Sequence, residues 1–321
     1  MNMKKILSLL FAAALALSVT ACAETADKTT VRIGSLMGPT SMGLVELMHN
    51  EDTQNAYEYT VEATADALTP ALIRGEVDIA LIPANLAAVL YSKTEGALEV
   101  VAVNTLGVLY VLENGDSIQS VSDLKGKTIY STGQGTTPEF ALNYILTKNG
   151  LDPAADVTVE FKSEAAEVAS AMLADAAAVA VLPQPYVTAV LTQNESVRVA
   201  LSLSDEWDKV GDGSAMVTGV AVVRKAFLEE NPEAVAAFLT EYAASTAYVN
   251  ENPAEASVWI EELGIVAKAA LAEKAIPACN IVCITGDEMK TKLSGYLTAL
   301  YDQNPESVGG TLPGEDFYFA D

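Results

Sequence analysis

The chain has 321 residues, half of them apolar, with 43 acidic against 18 basic residues and a formal charge of −25. Such a surface repels nucleic acid and anionic headgroups, so neither is expected as a partner. The length suffices for two domains with their own cores.

In chain order, Lys4 and Lys5 precede the apolar run 6–17, and Val19-Thr20-Ala21 lead into Cys22. Residues 1–21 therefore read as an export signal, too short to be an ordinary membrane span. The small residues before Cys22 resemble a bacterial lipoprotein box, with Cys22 as the lipidated first residue of the mature form. Residues 22–29 are small and polar, and read as a tether. The expected location is the extracytoplasmic face of the cell membrane, held there only by the lipid on Cys22.

The body opens on the strand Val31-Arg32-Ile33-Gly34 and a Gly/Pro/hydroxyl loop, 35–41. A helix is predicted over 42–49, a strand over 57–63, a helix over 68–74 stopped by Gly75, and the strand 77–82 cut by Pro83. A helix over 85–91 and strands over 98–105 and 107–113 follow. The same grammar recurs from residue 128: strand 128–130, the hydroxyl loop 131–137, a helix from Pro138 to Lys148, strand 157–161, helix 165–173 and strand 178–182, ended by Pro183. Two related α/β halves are the reading. Further on, 216–223 reads as a strand, and helices open at Asn231-Pro232 and Asn252-Pro253.

Alternating strands and helices predict mostly parallel sheets covered on both faces, with ligands beyond the carboxyl ends of the strands. Both hydroxyl loops fall there, at helix beginnings whose N–H groups favour an anion or a carbonyl-like atom. Ser35, Thr40 and Ser41 are candidate donors from one half; Thr132, Gln134, Gly135, Thr136 and Thr137 are candidates from the other. Met37 and Met42 suggest a partly apolar site. Neither loop is a dinucleotide or P-loop motif. His49, predicted at a helix end on the surface, is the single histidine, which removes most Ser-His and Cys-His chemistry. No cofactor, metal site or catalytic residue is expected. Cys279 and Cys283, with strand-forming residues between them, are expected unpaired.

Val31-Arg32-Ile33-Gly34, the segment 72–80 (Leu-Ile-Arg-Gly-Glu-Val-Asp-Ile-Ala), 123–129 (Asp-Leu-Lys-Gly-Lys-Thr-Ile), Val223-Arg224-Lys225-Ala226-Phe227 and Asn231-Pro232-Glu233-Ala234-Val235 complete a pattern. With the lipobox, they resemble the substrate-binding lipoproteins of ABC importers, in the class of nitrate, sulfonate, taurine and pyrimidine-precursor binders. The resemblance implies a two-lobed periplasmic-binding-protein type II fold, each lobe a mostly parallel sheet flanked by helices, joined by two hinge strands. It implies lobe 1 as 30–106 plus 224–321 and lobe 2 as 107–223. By the same resemblance, Pro83 and Asn85 join the ligand loops, and Gln184, Tyr186 and Thr218 are further contacts. The implied function is capture of a small organic anion or nitrogen heterocycle by a monomer, which hands it to an ABC permease with its ATPase. The first loop lacks the Arg, Lys or aromatic residue common among such binders. The rival readings are an enzyme on the same fold and a sensor lipoprotein without a transporter.

Overall fold

Two sheets organise the computed structural model, which describes residues 28–175, 177–211 and 213–320. The predicted signal, and with it Cys22, lies outside the described residues. The first half supplies β1 (Thr30–Leu36), β2 (Ala56–Glu62), β3 (Ile79–Pro83) and β4 (Leu98–Leu106). The second supplies β5 (Leu109–Asn114), β6 (Thr128–Ser131), β7 (Thr158–Phe161), β8 (Val179–Pro183) and β9 (Val197–Ser202). β10 (Val217–Arg224) and β11 (Ile281–Ile284) follow. The six-stranded sheet has the order β11-β4-β10-β3-β1-β2, and the five-stranded sheet β7-β6-β8-β5-β9.

The repeated grammar appears as a repeated order: β3-β1-β2 in one sheet, β8-β6-β7 in the other, each with parallel pairing. Pro83 and Pro183 close equivalent strands. The sheets are mostly parallel in strand direction, β1–β4 sharing one sense and β6–β9 another, with reversed strands set among them. β10 runs antiparallel to β3 and β4, and β5 runs antiparallel to β8 and β9. The cause is topological. β4 and β9 carry the chain out of their sheets, and β5 and β10 receive it in the other. For the same reason the expected boundary after Val223 is corrected: it would cut β10 away from the six-stranded sheet it belongs to.

The predicted helix 42–49 is two short helices, Pro39–Met42 and Val45–His49. They break near Gly43, where a Cβ would lie 2.9 Å from the Tyr242 hydroxyl of the long helix Pro232–Glu251. Cys279 and Cys283 are unpaired. Cys279 follows a 3₁₀ turn, Asn280 turns the chain at φ 47°, and Cys283 lies in β11, so the thiols enter different core clusters. Burial pushes the Cys279 thiol up to about 12 and Cys283 to about 11. His49 ends its helix on the surface, stacked on Trp259 at 4.7 Å between ring centroids.

The sheets meet through the two crossings. The Gly107 carbonyl accepts from Asn280 Nδ2 at 2.5 Å and Ser204 Oγ at 2.9 Å. A Cβ on Gly107 would fall 2.2 Å from Ser204 Oγ and 2.5 Å from Met216 Cε. Only glycine lets the two crossing segments touch there. Behind them, the helix Gly286–Gln303 bears on the second half: Trp207, fully buried, stacks on Tyr144 and packs on Tyr296. One apolar cluster includes Ile82 and Val103 from the first sheet and Ile129 and Val181 from the second.

Each sheet holds a buried carboxylate at the end away from those prolines. Asp78, just before β3, receives Arg32 Nε at 2.8 Å, Arg32 Nη2 at 2.6 Å and Arg224 Nη2 at 2.6 Å. Glu113, opposite the start of β8, pairs with Arg198 and accepts the N–H groups of Ser117 and Ile118. Burial pushes the Asp78 carboxyl upward, but the arginine hydrogen bonds outweigh it and hold it below the usual carboxylate range. Its stabilising contribution is thus complete above the unfolded value and is lost as pH falls through the lowered folded value. Asp78→Ala leaves two guanidinium groups without their anion and is expected to cost about 3 kcal/mol, read as a lowered urea midpoint at pH 7. The difference between wild type and Asp78→Ala should shrink once the pH drops below the ordinary carboxylate range.

Candidate solute cleft

β1, β3 and β8 run in the directions that bring their carboxyl ends to one gap between the sheets. Two hollows open there. One, of about 440 Å³, is lined by Met37, Gly38 and Pro39 after β1, by Gln184, Pro185 and Tyr186 after β8, and by the segment from Ile265 to Leu271. The other, of about 420 Å³, is lined by Pro83, Asn85 and Leu86 after β3, by Thr136, Thr137 and Pro138 of the second loop, and by Val108, Pro183 and Thr218. Pro183 and Gln184 are consecutive, so the two hollows share the exit of β8. Both volumes suit a small organic molecule, for which pockets run from roughly 300 to 1,000 Å³.

The first loop is fixed from beneath. Gly38 turns it at φ 96°, which favours glycine. The Ser41 hydroxyl lies 2.7 Å from Ser35 Oγ and 2.6 Å from the Leu36 carbonyl, all within the body. The fully buried Asn104 donates Nδ2 to the Thr40 carbonyl at 3.0 Å. Asn104 fits because the facing residue is Gly219; a Cβ there would stand 2.4 Å from Asn104 Oδ1.

The second loop turns through Gly133 and Gly135, both at φ 72°. Thr136 Oγ1 donates to the Gly133 carbonyl at 2.7 Å. The Gly135 N–H donates to Glu139 Oε2 at 2.5 Å, so the carboxylate of the first turn of the helix Thr137–Lys148 ties down the loop before it. After β8, the Gln184 N–H donates to the Val108 carbonyl at 3.1 Å. Gln184 Oε1 accepts from Thr188 Oγ1 at 2.8 Å.

Of the residues singled out in the sequence, Met37, Gln184 and Tyr186 meet in one hollow, and Pro83, Asn85, Thr136, Thr137 and Thr218 in the other. The rest are placed otherwise. Ser35, Thr40, Ser41 and Met42 lie under the loop with 1, 9, 0 and 0% exposure, and Met42 belongs to a core cluster with Val45 and Ile281. Ser35, Ser41 and the Thr40 carbonyl take part in the hydrogen bonds that hold the loop from beneath. Thr132, Gln134 and Gly135 line neither hollow. The segment 265–271 was not anticipated. Its signal is faint: two apolar residues, Ile265 and Val266, just after the turn at Gly264, whose φ is 69°.

The NMT1/THI5 like family model matches residues 95–256, half of the chain, and the chain belongs to this family. Its fold is that of ABC-transporter solute binders. An ABC transporter structure from Parabacteroides distasonis is 26% identical, with a TM-score of 0.78 over 91% of this chain and 99% of that one. The periplasmic aliphatic sulphonate binding protein of Escherichia coli is 17% identical, with a TM-score of 0.69 over 90% and 96%. A putative periplasmic sulfonate-binding protein from Methylobacillus flagellatus is 16% identical, with a TM-score of 0.67 over 92% of each chain. The latter two are binding proteins by name. No curated protein matches the sequence.

The support of the first loop can be tested away from the hollows. Gly219→Ala is expected to displace Asn104 and to cost about 1–3 kcal/mol in urea denaturation. Faster hydrogen exchange at the amides of 40–44 should accompany it.

Proposed function

We propose that this protein is the extracytoplasmic solute-binding component of an ABC importer. It captures a small organic solute between two lobes, with Cys22 carrying the lipid that keeps it at the membrane, and delivers the solute to a permease. The observation that carries this reading is the pair of hollows at the strand exits, each lined from both sheets. A solute bound there touches both lobes at once, so it favours the arrangement that brings them together by the difference in its affinity for the two states. The lobes we propose are built on the two sheets, with the chain passing between them at 106–109 and again between β9 and β10. The closed form, acting as a monomer, would be the one a permease recognises.

The small molecule is bound and released without chemistry. Native mass spectrometry of protein purified from its own host should find one small compound per chain. Mild unfolding and extraction should return that compound with unchanged mass. Conversion of the compound on incubation with fresh protein would contradict the proposal and favour an enzyme on this fold.

A further inference from the structure

Resting on the solute-binding reading above, we propose that the cleft selects an uncharged solute, one with an apolar body and carbonyl- or ring-nitrogen-type acceptor atoms, and discriminates against anions. Among the described residues, no charged one lines either hollow. The chain has only four arginines. Arg32 and Arg224 hold Asp78, Arg198 holds Glu113, and Arg74 pairs with Glu76. Asp78 immediately precedes β3 and Glu113, on β5, faces Val179 at the start of β8; both are about four to five residues of strand, or roughly 13–17 Å, from the prolines at the cleft. The bidentate group that best recognises a sulfonate or carboxylate is thus committed elsewhere. Lys268, next to Ala267 at the rim, is exposed and lines neither hollow.

A carboxylate also stands close to the second hollow: Glu139, in the first turn of the helix Thr137–Lys148, accepts the Gly135 N–H of the preceding loop. That carboxylate meets an incoming anion with like charge beside the hollow that Thr136 and Pro138 line. An anion brought in here would lose its hydration without gaining a counter-charge. The polar side chains that do line the hollows are neutral: Asn85, Thr136, Thr137, Thr218, Gln184 and Tyr186. Amide and hydroxyl donors of this kind pair with neutral acceptors, and the Met37, Pro39, Leu86, Ile265 and Leu271 side chains cover an apolar body. This sets the chain apart from its sulfonate-binding structural relatives.

Ligand-detected NMR at pH 7 with matched pairs tests the proposal: benzamide against benzoate, hexanamide against hexanoate, and benzenesulfonamide against benzenesulfonate. At least one neutral member should bind, at least tenfold more tightly than its anion. Thr136→Trp, at an exposed position, should abolish the binding by filling the hollow, and Asn85→Trp should do the same from the other sheet. Glu139→Gln should improve the anion of the binding pair at least threefold and leave the neutral member nearly unchanged. An anion that binds the wild type as tightly as its neutral partner, and is lost in Thr136→Trp, overturns the selectivity while leaving the solute-binding reading intact. Failure of all six compounds to bind counts instead against the cleft as a small-solute site.

Discussion

The close approach of the two crossing segments at Gly107 is the constraint on which the rest depends. The peptide there is gripped by Asn280 from the first-sheet side and Ser204 from the second, with Met216 of the returning segment against its face. A larger residue would push the crossings apart and change the angle between the sheets. With the crossings in contact, the carboxyl ends of β1, β3 and β8 share one gap. On the proposed reading, a rotation at this point would open or shut that gap with little disturbance of either sheet. The helix Gly286–Gln303 complicates such a rotation. Tyr296 packs on Trp207, and Gln303 Nε2 donates to the Phe140 carbonyl at 2.9 Å, so these contacts must shift or carry the motion.

Charge is divided between the two ends of the molecule's sheets. At the amino ends, the buried carboxylates of Asp78 and Glu113 collect three of the four arginines and lock each sheet to its neighbours. The two hollows at the carboxyl ends are lined by neutral amides, hydroxyls, prolines and aliphatic side chains. Such a division keeps the expensive buried ions in places that need no solvent or solute access. On the proposed reading, it leaves a cleft whose recognition rests on shape and neutral hydrogen bonds.

Much of this was legible in the sequence. Pro83 and Pro183 marked equivalent strand ends, and the loops after β1 and β6 were found from their glycines and hydroxyls. Pairing was not legible, because β10 has the same apolar periodicity whichever sheet it joins. Nor could composition tell a hydroxyl that faces a solute from one that braces a loop: Ser35 and Ser41 differ from Thr136 only in what packs over them. Thr136-x-x-Glu139 carries the spacing of a capping box, yet Glu139 reaches the Gly135 N–H instead and no side-chain cap forms. The wall formed by 265–271 had almost no signal, because it depends on how a helical C-terminal region folds back against the helix Tyr186–Gln193.

The central claim, that one solute is held by both lobes across a gap governed by the crossings, is tested most directly by a distance across that gap. Spin labels at Asp66→Cys and Gln134→Cys would stand on exposed positions of opposite rims, with Cys283→Ser to remove the more accessible native thiol. Addition of the compound extracted from the native protein should shift the measured distance distribution to a shorter, narrower one. The same substitution pair carrying Thr136→Trp should show no shift. An unchanged distribution with the solute demonstrably bound to the labelled protein would contradict the account.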